Sequence, residues 1–356
     1  MAKEKKVKFK ESIGLDIGSH SIKMVHLRKL HEGFKLLNYE IRSTVPDGIE
    51  PNLSDLSIDR FAPVLSGMLR SMKINPKKVK HIVSSIGGDN TSIKQIKTIF
   101  LPDEELESAL FFEAKKHLPI SGSEMLLDYQ VLNVEEKTNN MNILLASSTK
   151  ELLQTHSNIL LGAGLSPGIV DLEALGVANS YALNSYVEDG VYVILNIGAF
   201  KTNMVIYGPK VKFFARDISW GGLHFTKDIM KQKKMDYAEA EKYKIEHGLK
   251  KDDDDKKDSS MLALDITEKS TPELIVQEVK RSLRFYVKEA GNSDFRKILL
   301  VGGSAKLIGL DEYIANQVKL ETEVYNPFVN LEKPERFKDK QDPQLALALG
   351  LAMRPA

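Results

Sequence analysis

Residues 13–27 read IGLDIGSHSIKMVHL, a run in which a β-rich segment reaches a Gly-Ser turn and then resumes as a second β-rich segment. Residues 191–207 read VYVILNIGAFKTNMVIY and repeat this pattern, with Leu15 aligning on Leu195. Two β-rich runs joined by a short glycine-containing turn are typical of a β-hairpin. Two such hairpins about 180 residues apart predict two lobes built on one plan.

The turns of the two hairpins have a chemical interpretation. In a tight glycine-containing turn, successive backbone N–H groups point towards one place, which suits the oxygens of a phosphate. Asp16, at the end of the first strand, is placed to orient a water molecule bound to Mg²⁺, and Lys23, on the returning strand, is placed to reach a phosphate. Each hairpin alone is weak evidence, because ordinary hairpins also carry glycine and serine. The repeat predicts a phosphate site that both hairpins share.

A third element lies in the second half of the chain. Residues 297–310 read KILLVGGSAKLIGL, which predicts a short buried strand, a Gly-Gly-Ser turn and then a helix. A glycine pair at that point lets a flat adenine lie on the backbone beside a helix N-terminus. Such a turn by itself is far more often a simple connection between a strand and a helix, so its weight comes from the two hairpins that precede it.

Composition restricts the class of protein. The chain has 356 residues, more than a single core usually holds, and 42% of them are hydrophobic and 28% charged, which is ordinary for a soluble globular protein. The net charge of +1 gives no overall field that would favour nucleic acid. No cysteine is present, which excludes disulfides and cysteine-bound metals. With no signal-peptide pattern and no run of about 18 apolar residues, we expect a cytoplasmic protein.

The three elements together resemble the actin-like ATPase superfamily, which includes actin, MreB, FtsA, sugar kinases and heat-shock chaperones. LDIGSHSIK (15–23) is similar to the first phosphate motif of that superfamily. LNIGAFKTN (195–203) is similar to the second phosphate motif, and VGGSAKL (301–307) to the adenosine motif. The resemblance implies an α/β actin-like ATPase fold of two lobes, made of duplicated ribonuclease-H-like subdomains.

Further segments are similar to the PilM family of pilus-assembly proteins. They are LPDEELESALFFEAKKHLPI (101–120), DYAEAEKYKIEHG (236–248), EVKRSLRFY (278–286), NPF (326–328) and LALALGLAMR (345–354). No single segment is decisive, but their order is specific and they extend over nearly the whole chain. This resemblance adds an FtsA-type inserted subdomain to the expected fold.

The expected domains follow from the resemblance. They are a first lobe core at 1–86 and 146–189, an inserted subdomain at 87–145, a second lobe core at 190–224 and 297–356, and a smaller subdomain of the second lobe at 225–296. Within the last of these, the charge run KKDDDDKKDSS (250–260) is expected to be a surface loop.

The resemblance also implies a function. PilM proteins bind ATP and hold the short cytoplasmic N-terminal tail of PilN, a membrane protein, in a groove between the first subdomain and the insertion. We therefore expect a cytoplasmic scaffold of the type IV pilus inner-membrane platform with ATP or ADP and Mg²⁺ as cofactors. A PilN-like tail and pilus motor components are the expected partners, and no nucleic acid is expected. Association with the inner membrane would then be indirect, through the partner.

The family pattern assigns site residues. Glu241 and Lys244 are expected at ribose or adenine, although an exposed helix pair of little energetic weight is the alternative. Arg281 resembles a base-stacking residue, although it fits a solvated helix face equally well. For His20 two alternatives stay open: it lies at the tip of the turn without a functional contact, or it contacts a phosphate. The full expected set is Asp16 for the metal, Ser19, His20, Lys23, Gly198, Ala199, Lys201 and Thr202 for the phosphates, and Gly302, Gly303, Ser304, Glu241, Lys244 and Arg281 for the nucleoside.

One position departs from the superfamily pattern. The second phosphate motif usually begins with an acidic residue, and here Asn196 stands there, which keeps the shape but loses the charge. Asp171 or Glu173, in IVDLEAL (169–175), is a candidate for the missing catalytic carboxylate. Both also fit the start of a helix, where the helix dipole favours acidic residues. We therefore expect nucleotide binding with slow or no turnover.

Two other functions share this fold, because fold alone does not determine function. An FtsA-like membrane-associated filament protein is one alternative, which filament pelleting with nucleotide would reveal. An active actin-fold kinase is the other, although no convincing sugar-kinase signature is found, and a phosphotransfer assay would reveal it.

Overall fold

A computed structural model of the chain describes residues 9–52, 57–76, 78–79, 81–117, 124–166, 168–185, 187–249 and 269–355. The charge run at 250–260 lies outside these residues. The elements of the first half are β1 (Glu11–Ile17), β2 (Ser21–Lys29), β3 (Phe34–Ser43), α1 (Ile58–Ser71), β4 (Ile82–Ile86), β5 (Thr91–Ile99), α2 (Asp103–His117), β6 (Met125–Glu135), β7 (Asn140–Thr149), α3 (Lys150–Gly162), β8 (Ile169–Leu172) and α4 (Glu173–Ala182).

The second half continues with the same kinds of element. They are β9 (Val191–Ile197), β10 (Thr202–Tyr207), β11 (Phe214–Ile218), α5 (Gly222–Lys233), α6 (Tyr237–His247), α7 (Thr271–Ala290), β12 (Phe295–Val301), α8 (Leu310–Val318), β13 (Thr322–Val324) and α9 (Ala346–Met353). A short 3-10 turn at Gly303–Lys306 follows β12.

Two five-stranded sheets share one topology. Their strand orders are β3-β2-β1-β4-β8 and β11-β10-β9-β12-β13. In each sheet the first three strands are antiparallel and the last two are parallel to the central strand. The register of the two hairpins is also the same, since Leu15 pairs with Met24 and Leu195 pairs with Met204. The predicted two-lobed α/β fold is thereby confirmed.

A third, three-stranded sheet lies between β4 and α3 in the chain. Its order is β5-β7-β6, and α2 packs on it through Leu106 and Leu110. β7 pairs with its neighbours up to Thr149, so the predicted end of the insertion at residue 145 falls inside this strand. The predicted boundary between residues 224 and 225 falls inside α5 for a similar reason, because that helix continues to Lys233. The other predicted boundaries stay predictions.

The helices α4 and α9 lie between the two five-stranded sheets. α9 reads ALALGLAM and is buried along its whole length, as expected of an apolar helix covered on all sides. It approaches α4 very closely, because a Cβ placed on Gly350 would lie 1.8 Å from the carbonyl oxygen of Gly176. Glycine is therefore required at this crossing, and the two lobes share one packed layer.

No helix of the described residues is long and apolar enough to cross a membrane.

The helix crossing gives a stability prediction. Replacing Gly350 with alanine places a Cβ against the backbone of α4, and overpacking of this kind costs about 3 kcal/mol of the free energy of unfolding. Gly67→Ala is the matched control, because its Cβ would meet the flexible ends of Arg42 and Arg70 and alanine favours the helix. Urea denaturation of both variants measures the effect. Equal stability of Gly350→Ala and the wild-type chain would contradict this close approach of the two helices.

Candidate functional site

A cavity of about 620 Å³ lies between the lobes, where the turns of both hairpins face each other. The start of α4, one face of α6 and the turn after β12 complete its wall. Most of the residues predicted from the sequence line it: Asp16, Ser19, His20, Lys23, Glu173, Gly198, Ala199, Lys201, Glu241, Lys244, Gly302, Gly303 and Ser304. Three elements far apart in the chain thus converge on one space.

Three predicted residues do not line the cavity. Asp171 is buried in β8, and its Oδ2 lies 2.8 Å from Arg354 Nε, so the expectation of a catalytic role is corrected by its position. Arg281 lies on α7, where 68% of its side chain is exposed and it pairs with Glu278. This position agrees with the alternative that Arg281 belongs to a solvated helix face. Thr202 is fully buried and donates a hydrogen bond to the carbonyl oxygen of Trp220 at 2.8 Å, so its hydroxyl supports the hairpin from behind.

The first hairpin places a carboxylate and an ammonium side by side. Asp16 and Lys23 are directly opposite each other in the β1–β2 register, and Lys23 Nζ lies 3.2 Å from Asp16 Oδ2. Opposite charges at facing positions of two strands attract each other. The turn between them is held by α1, since Arg60 donates to the carbonyl oxygens of Thr44 and Ser19. Sequence reasoning missed Arg60, because nothing in its segment marks it.

α6 is placed by its own caps. Asp236 Oδ1 accepts a hydrogen bond from the backbone N–H of Glu239 at 2.9 Å, and the Asp236 N–H donates to the Glu239 carboxylate at 3.3 Å, which together form a capping box. Gly248 ends the helix with a φ of 65°. These local signals orient the helix so that Glu241 and Lys244 face the cavity.

Glu241 and Lys244 form an ion pair that is hydrogen-bonded to its surroundings, and not an exposed pair. Lys244 Nζ lies 2.7 Å from Glu241 Oε2, and it donates to the carbonyl oxygen of Gly222 at 3.1 Å. The hydroxyl of Thr226 donates to the same Glu241 oxygen at 2.5 Å. Burial lowers the pKa of Lys244, and the Glu241 carboxylate partly opposes this shift. The alternative of a solvated pair therefore does not describe these residues.

The turn after β12 is coupled to the second hairpin. Gly302 has a φ of 89°, which only glycine adopts readily, and a Cβ there would lie 2.6 Å from Asn196 Oδ1. The hydroxyl of Ser304 donates to the carbonyl oxygen of Gly198 at 3.2 Å. The predicted adenosine motif and the predicted second phosphate motif therefore form one continuous wall.

An ion-pair network crosses between the lobes beside the second hairpin. Lys201 Nζ lies 2.8 Å from Glu173 Oε2 and 3.3 Å from Asp217 Oδ2. The Gly88 N–H donates to Asp217 Oδ2 at 3.1 Å, and Asn203 Nδ2 donates to Asp217 Oδ1 at 2.7 Å. Burial by itself lowers the pKa of Lys201, but the two carboxylates outweigh burial and raise it, so the ammonium stays charged.

Sequence reasoning also missed Asp217. It lies on β11 in the segment FARDI, which carries no recognisable motif. The available signal is its register, because Asp217 pairs directly with Asn203 on the strand that returns from the second turn. That register depends on which strands pair, which the sequence does not state.

A buried histidine lines the end of the cavity that lies within the first lobe. His156, on α3, lies 2.8 Å through Nε2 from the hydroxyl of Ser84 on β4. Burial lowers the pKa of His156 to about 4, so its ring is neutral at neutral pH. The wall here is otherwise largely apolar, with Phe61, Leu152 and Ile159.

The cavity carries charges of both signs. Among the described residues, no group of three or more His, Cys, Asp or Glu side chains is arranged to hold a metal ion by itself. The carboxylates of Asp16, Glu173, Asp217 and Glu241 are instead each paired with a lysine. Backbone N–H groups of two opposed turns, with lysines beside them, suit a phosphate chain, and a carboxylate beside them suits a hydrated divalent cation.

A duplicated α/β fold with two opposed hairpin turns and a glycine-rich third turn around one cavity defines the actin-like ATPase class. The type IV pilus assembly protein PilM family matches residues 14–356. The chain therefore belongs to the PilM family.

Comparison with solved structures agrees with this class. A PilM-PilN type IV pilus biogenesis complex matches with a TM-score of 0.77 and 22% identity, over 96% of this chain and 98% of that one. The ethanolamine utilization protein EutJ from Carboxydothermus hydrogenoformans matches with a TM-score of 0.53 and 15% identity, over 98% and 91%. A diol dehydratase-reactivating factor in nucleotide-free form matches with a TM-score of 0.52 and 10% identity, over 96% and 99%. These similarities support the fold.

The buried histidine gives a prediction about pH. Because burial lowers the pKa of His156 to about 4 from 6.5, the unfolded chain binds a proton at this site below pH 6.5 while the folded chain does not. The contribution of His156 to stability is therefore fully present above pH 6.5 and is lost as the pH decreases from 6.5 towards 4, by about 2 kcal/mol between pH 7 and pH 5.

The measurement is urea denaturation at both pH values for the wild-type chain and for His156→Gln, which cannot titrate. We expect the variant to lose less stability than the wild-type chain on acidification. An equal loss in both would show that other groups cause the pH dependence.

Proposed function

We propose that this chain is a cytoplasmic ATP-binding scaffold of the type IV pilus inner-membrane platform and that it holds the N-terminal cytoplasmic tail of a PilN-like membrane protein. The observation that carries the proposal is the convergence of three glycine-containing turns on one cavity in a chain of the PilM family. Association with the membrane is then indirect, through the partner. Family membership makes this role preferable to a filament protein or a kinase.

The cavity supports a nucleotide with its phosphates between the two hairpin turns. The adenosine then lies against the turn of Gly302 and Gly303, with α6 at its side. The residues fit Mg²⁺ as well, since this ion usually takes one or two carboxylates together with substrate phosphates, and the Asp16 carboxylate lines the cavity. Bound there, Mg²⁺ would neutralise charge on the phosphates. Asp16 would orient water bound to the ion, and Lys23 would contribute a positive charge.

Turnover is proposed to be slow or absent. Asn196 lines the cavity at the position where an acidic residue is usual in the superfamily, and its amide is in close approach to Gly302. An amide cannot supply the negative charge that helps to hold metal-bound water. The remaining candidate base, Glu173, is held in an ion pair with Lys201.

The insertion offers a surface for a peptide partner. Large apolar side chains are exposed on it, among them Ile99 with 60% and Phe112 with 67% of their surface accessible. Clusters of exposed apolar side chains mark interaction sites. Among the described residues, β6 is an edge strand of the three-stranded sheet, and an edge strand suits the addition of a peptide strand. The matching structure is itself described as a complex of PilM with PilN, which supports a PilN-like partner.

The nucleotide proposal predicts calorimetric binding of Mg-ATP that depends on Asp16. Asp16→Ala should weaken Mg-ATP at least about tenfold, which corresponds to about 1.4 kcal/mol. The same variant should affect metal-free ATP much less, because Lys23 is then released to contact phosphate. Isothermal titration with Mg²⁺ and with a chelator measures both affinities.

Asp294→Ala is the control for this titration, because it removes an ion pair with Arg296 on the surface of the second lobe. It should bind Mg-ATP like the wild-type chain. Failure of the wild-type chain to bind ATP would exclude the nucleotide site. Equal effects of Asp16→Ala with and without Mg²⁺ would exclude the metal role.

The partner proposal predicts binding of a synthetic peptide that carries a PilN-type N-terminal tail. Phe112→Ser should weaken this binding at least about fivefold, or about 1 kcal/mol, because it removes an exposed aromatic contact. Leu161→Ser on α3 is the matched control, since Leu161 has 56% of its surface exposed outside the insertion. Fluorescence anisotropy of the labelled peptide measures both. No binding to the wild-type chain would exclude the partner, and equal weakening by both variants would exclude the insertion surface.

A further inference from the structure

The lysine in the second hairpin turn contacts the cavity carboxylate that is otherwise best placed to act as a base. Lys201 Nζ lies 2.8 Å from Glu173 Oε2. Lys201 comes from the second lobe, whereas Glu173 begins α4 in the first lobe. The pair therefore forms only when the two lobes have come together around the cavity.

We propose that Lys201 is a built-in brake on ATP hydrolysis, because its ammonium holds the Glu173 carboxylate that would otherwise accept a proton from the attacking water. This inference rests on the proposed nucleotide site. It extends the proposal for that site by assigning the slow turnover to the side chain of Lys201.

Glu173 is the candidate base because the other carboxylates of the site already have partners or roles. Asp217 already accepts hydrogen bonds on both oxygens, from the Gly88 N–H and from Asn203. Glu241 is tied to α5 at the adenosine side of the cavity. Asp16 is assigned to the metal ion in the proposed function. Among the described residues, the polar contact of the Glu173 carboxylate is Lys201. Removing this single lysine would therefore free the carboxylate.

The position of Glu173 is enforced by packing. A Cβ placed on Gly87 would lie 2.4 Å from the Glu173 carboxyl carbon, so the carboxylate rests directly on the glycine backbone that follows β4. This contact keeps the carboxylate in the cavity wall beside the phosphate turns. The missing side chain at Gly87 therefore makes room for this carboxylate in particular.

The step that the brake slows is balanced without any further reactant. The oxygen of a water molecule forms a bond to the γ-phosphorus of ATP, and the bond from that phosphorus to the β–γ bridging oxygen breaks, so that ADP leaves with the bond's electron pair. One proton of the water passes to the Glu173 carboxylate and is then released to solvent. A nearby ammonium stabilises the charged carboxylate and so makes it a weaker base.

Asp217 is the second carboxylate that contacts Lys201. Its Oδ2 lies 3.3 Å from Lys201 Nζ, and it is itself fixed by Gly88 in the first lobe and Asn203 in the second. The ammonium is therefore held between two carboxylates. Burial raises the pKa of the Glu173 carboxyl, and Lys201 opposes this shift without cancelling it.

The test compares ATP hydrolysis by the wild-type chain and by Lys201→Met, with ATP affinity measured on the same samples by calorimetry. We expect Lys201→Met to hydrolyse ATP at least about tenfold faster, since a general base contributes roughly 10²–10⁴-fold. Adding Glu173→Gln should return the rate to the wild-type level. Lys201→Gln, which keeps hydrogen-bond donors without the charge, should also be faster and serves if Lys201→Met does not fold.

Two further variants separate the brake from general loosening of the lobes. Asp217→Asn weakens the link between lobes but leaves Lys201 on Glu173, so its rate should not rise. Lys297→Met is the matched control, because Lys297 also lies between two carboxylates, those of Glu321 and Glu323, and has 28% of its side chain exposed against 30% for Lys201. Its rate should equal that of the wild-type chain.

The outcomes distinguish this inference from the proposed function. Bound ATP with an unchanged rate in both Lys201 variants would overturn the brake alone. A faster rate that persists with Glu173→Gln, or that appears equally in Asp217→Asn, would also overturn it. Absence of ATP binding by the wild-type chain would overturn the nucleotide proposal and the brake with it.

Discussion

The crossing of α4 and α9 is the constraint on which the rest of the structure depends. At this crossing a Cβ on Gly350 would lie 1.8 Å from the Gly176 carbonyl oxygen, and on the other side of α9 a Cβ on Gly14 would lie 1.9 Å from the Ala348 carbonyl oxygen. Protein interiors are close-packed and do not yield by such distances. These contacts therefore determine the separation of the two sheets, and with it the width of the cavity between the hairpin turns.

Within that width the charges of the cavity almost cancel. Four lysines line it, Lys23, Lys201, Lys244 and Lys306, and they are paired with the carboxylates of Asp16, Glu173, Glu241 and Asp342, respectively. Removing one member of a buried pair leaves an uncompensated charge, which is costly. The nucleotide of the proposed function would therefore be recognised through the backbone N–H groups of the turns and through its metal ion rather than through a strong positive field.

The insertion is joined to the second lobe as well as to the first. The Phe213 N–H donates to Gln95 Oε1 at 2.8 Å, and this bond links β5 to the segment just before β11. β11 also carries Asp217 of the network beside Lys201. The proposed peptide surface and the interior of the cavity are thus connected through one strand. A ligand at either place affects the other only if it binds two arrangements of the lobes with different affinity.

The sequence by itself determined the hairpins, their repetition and the three turns, because turn chemistry and strand periodicity are local properties of the backbone. It also indicated two carboxylates near the start of one helix. Only the tertiary structure decided between them: Asp171 ends in a strand against Arg354, whereas Glu173 begins α4 and enters the cavity. Asp217 lies in a segment without a recognisable motif, and only its pairing with β10 identified it as a residue of the site. Such assignments depend on contacts between distant segments, which packing selects and local sequence does not encode.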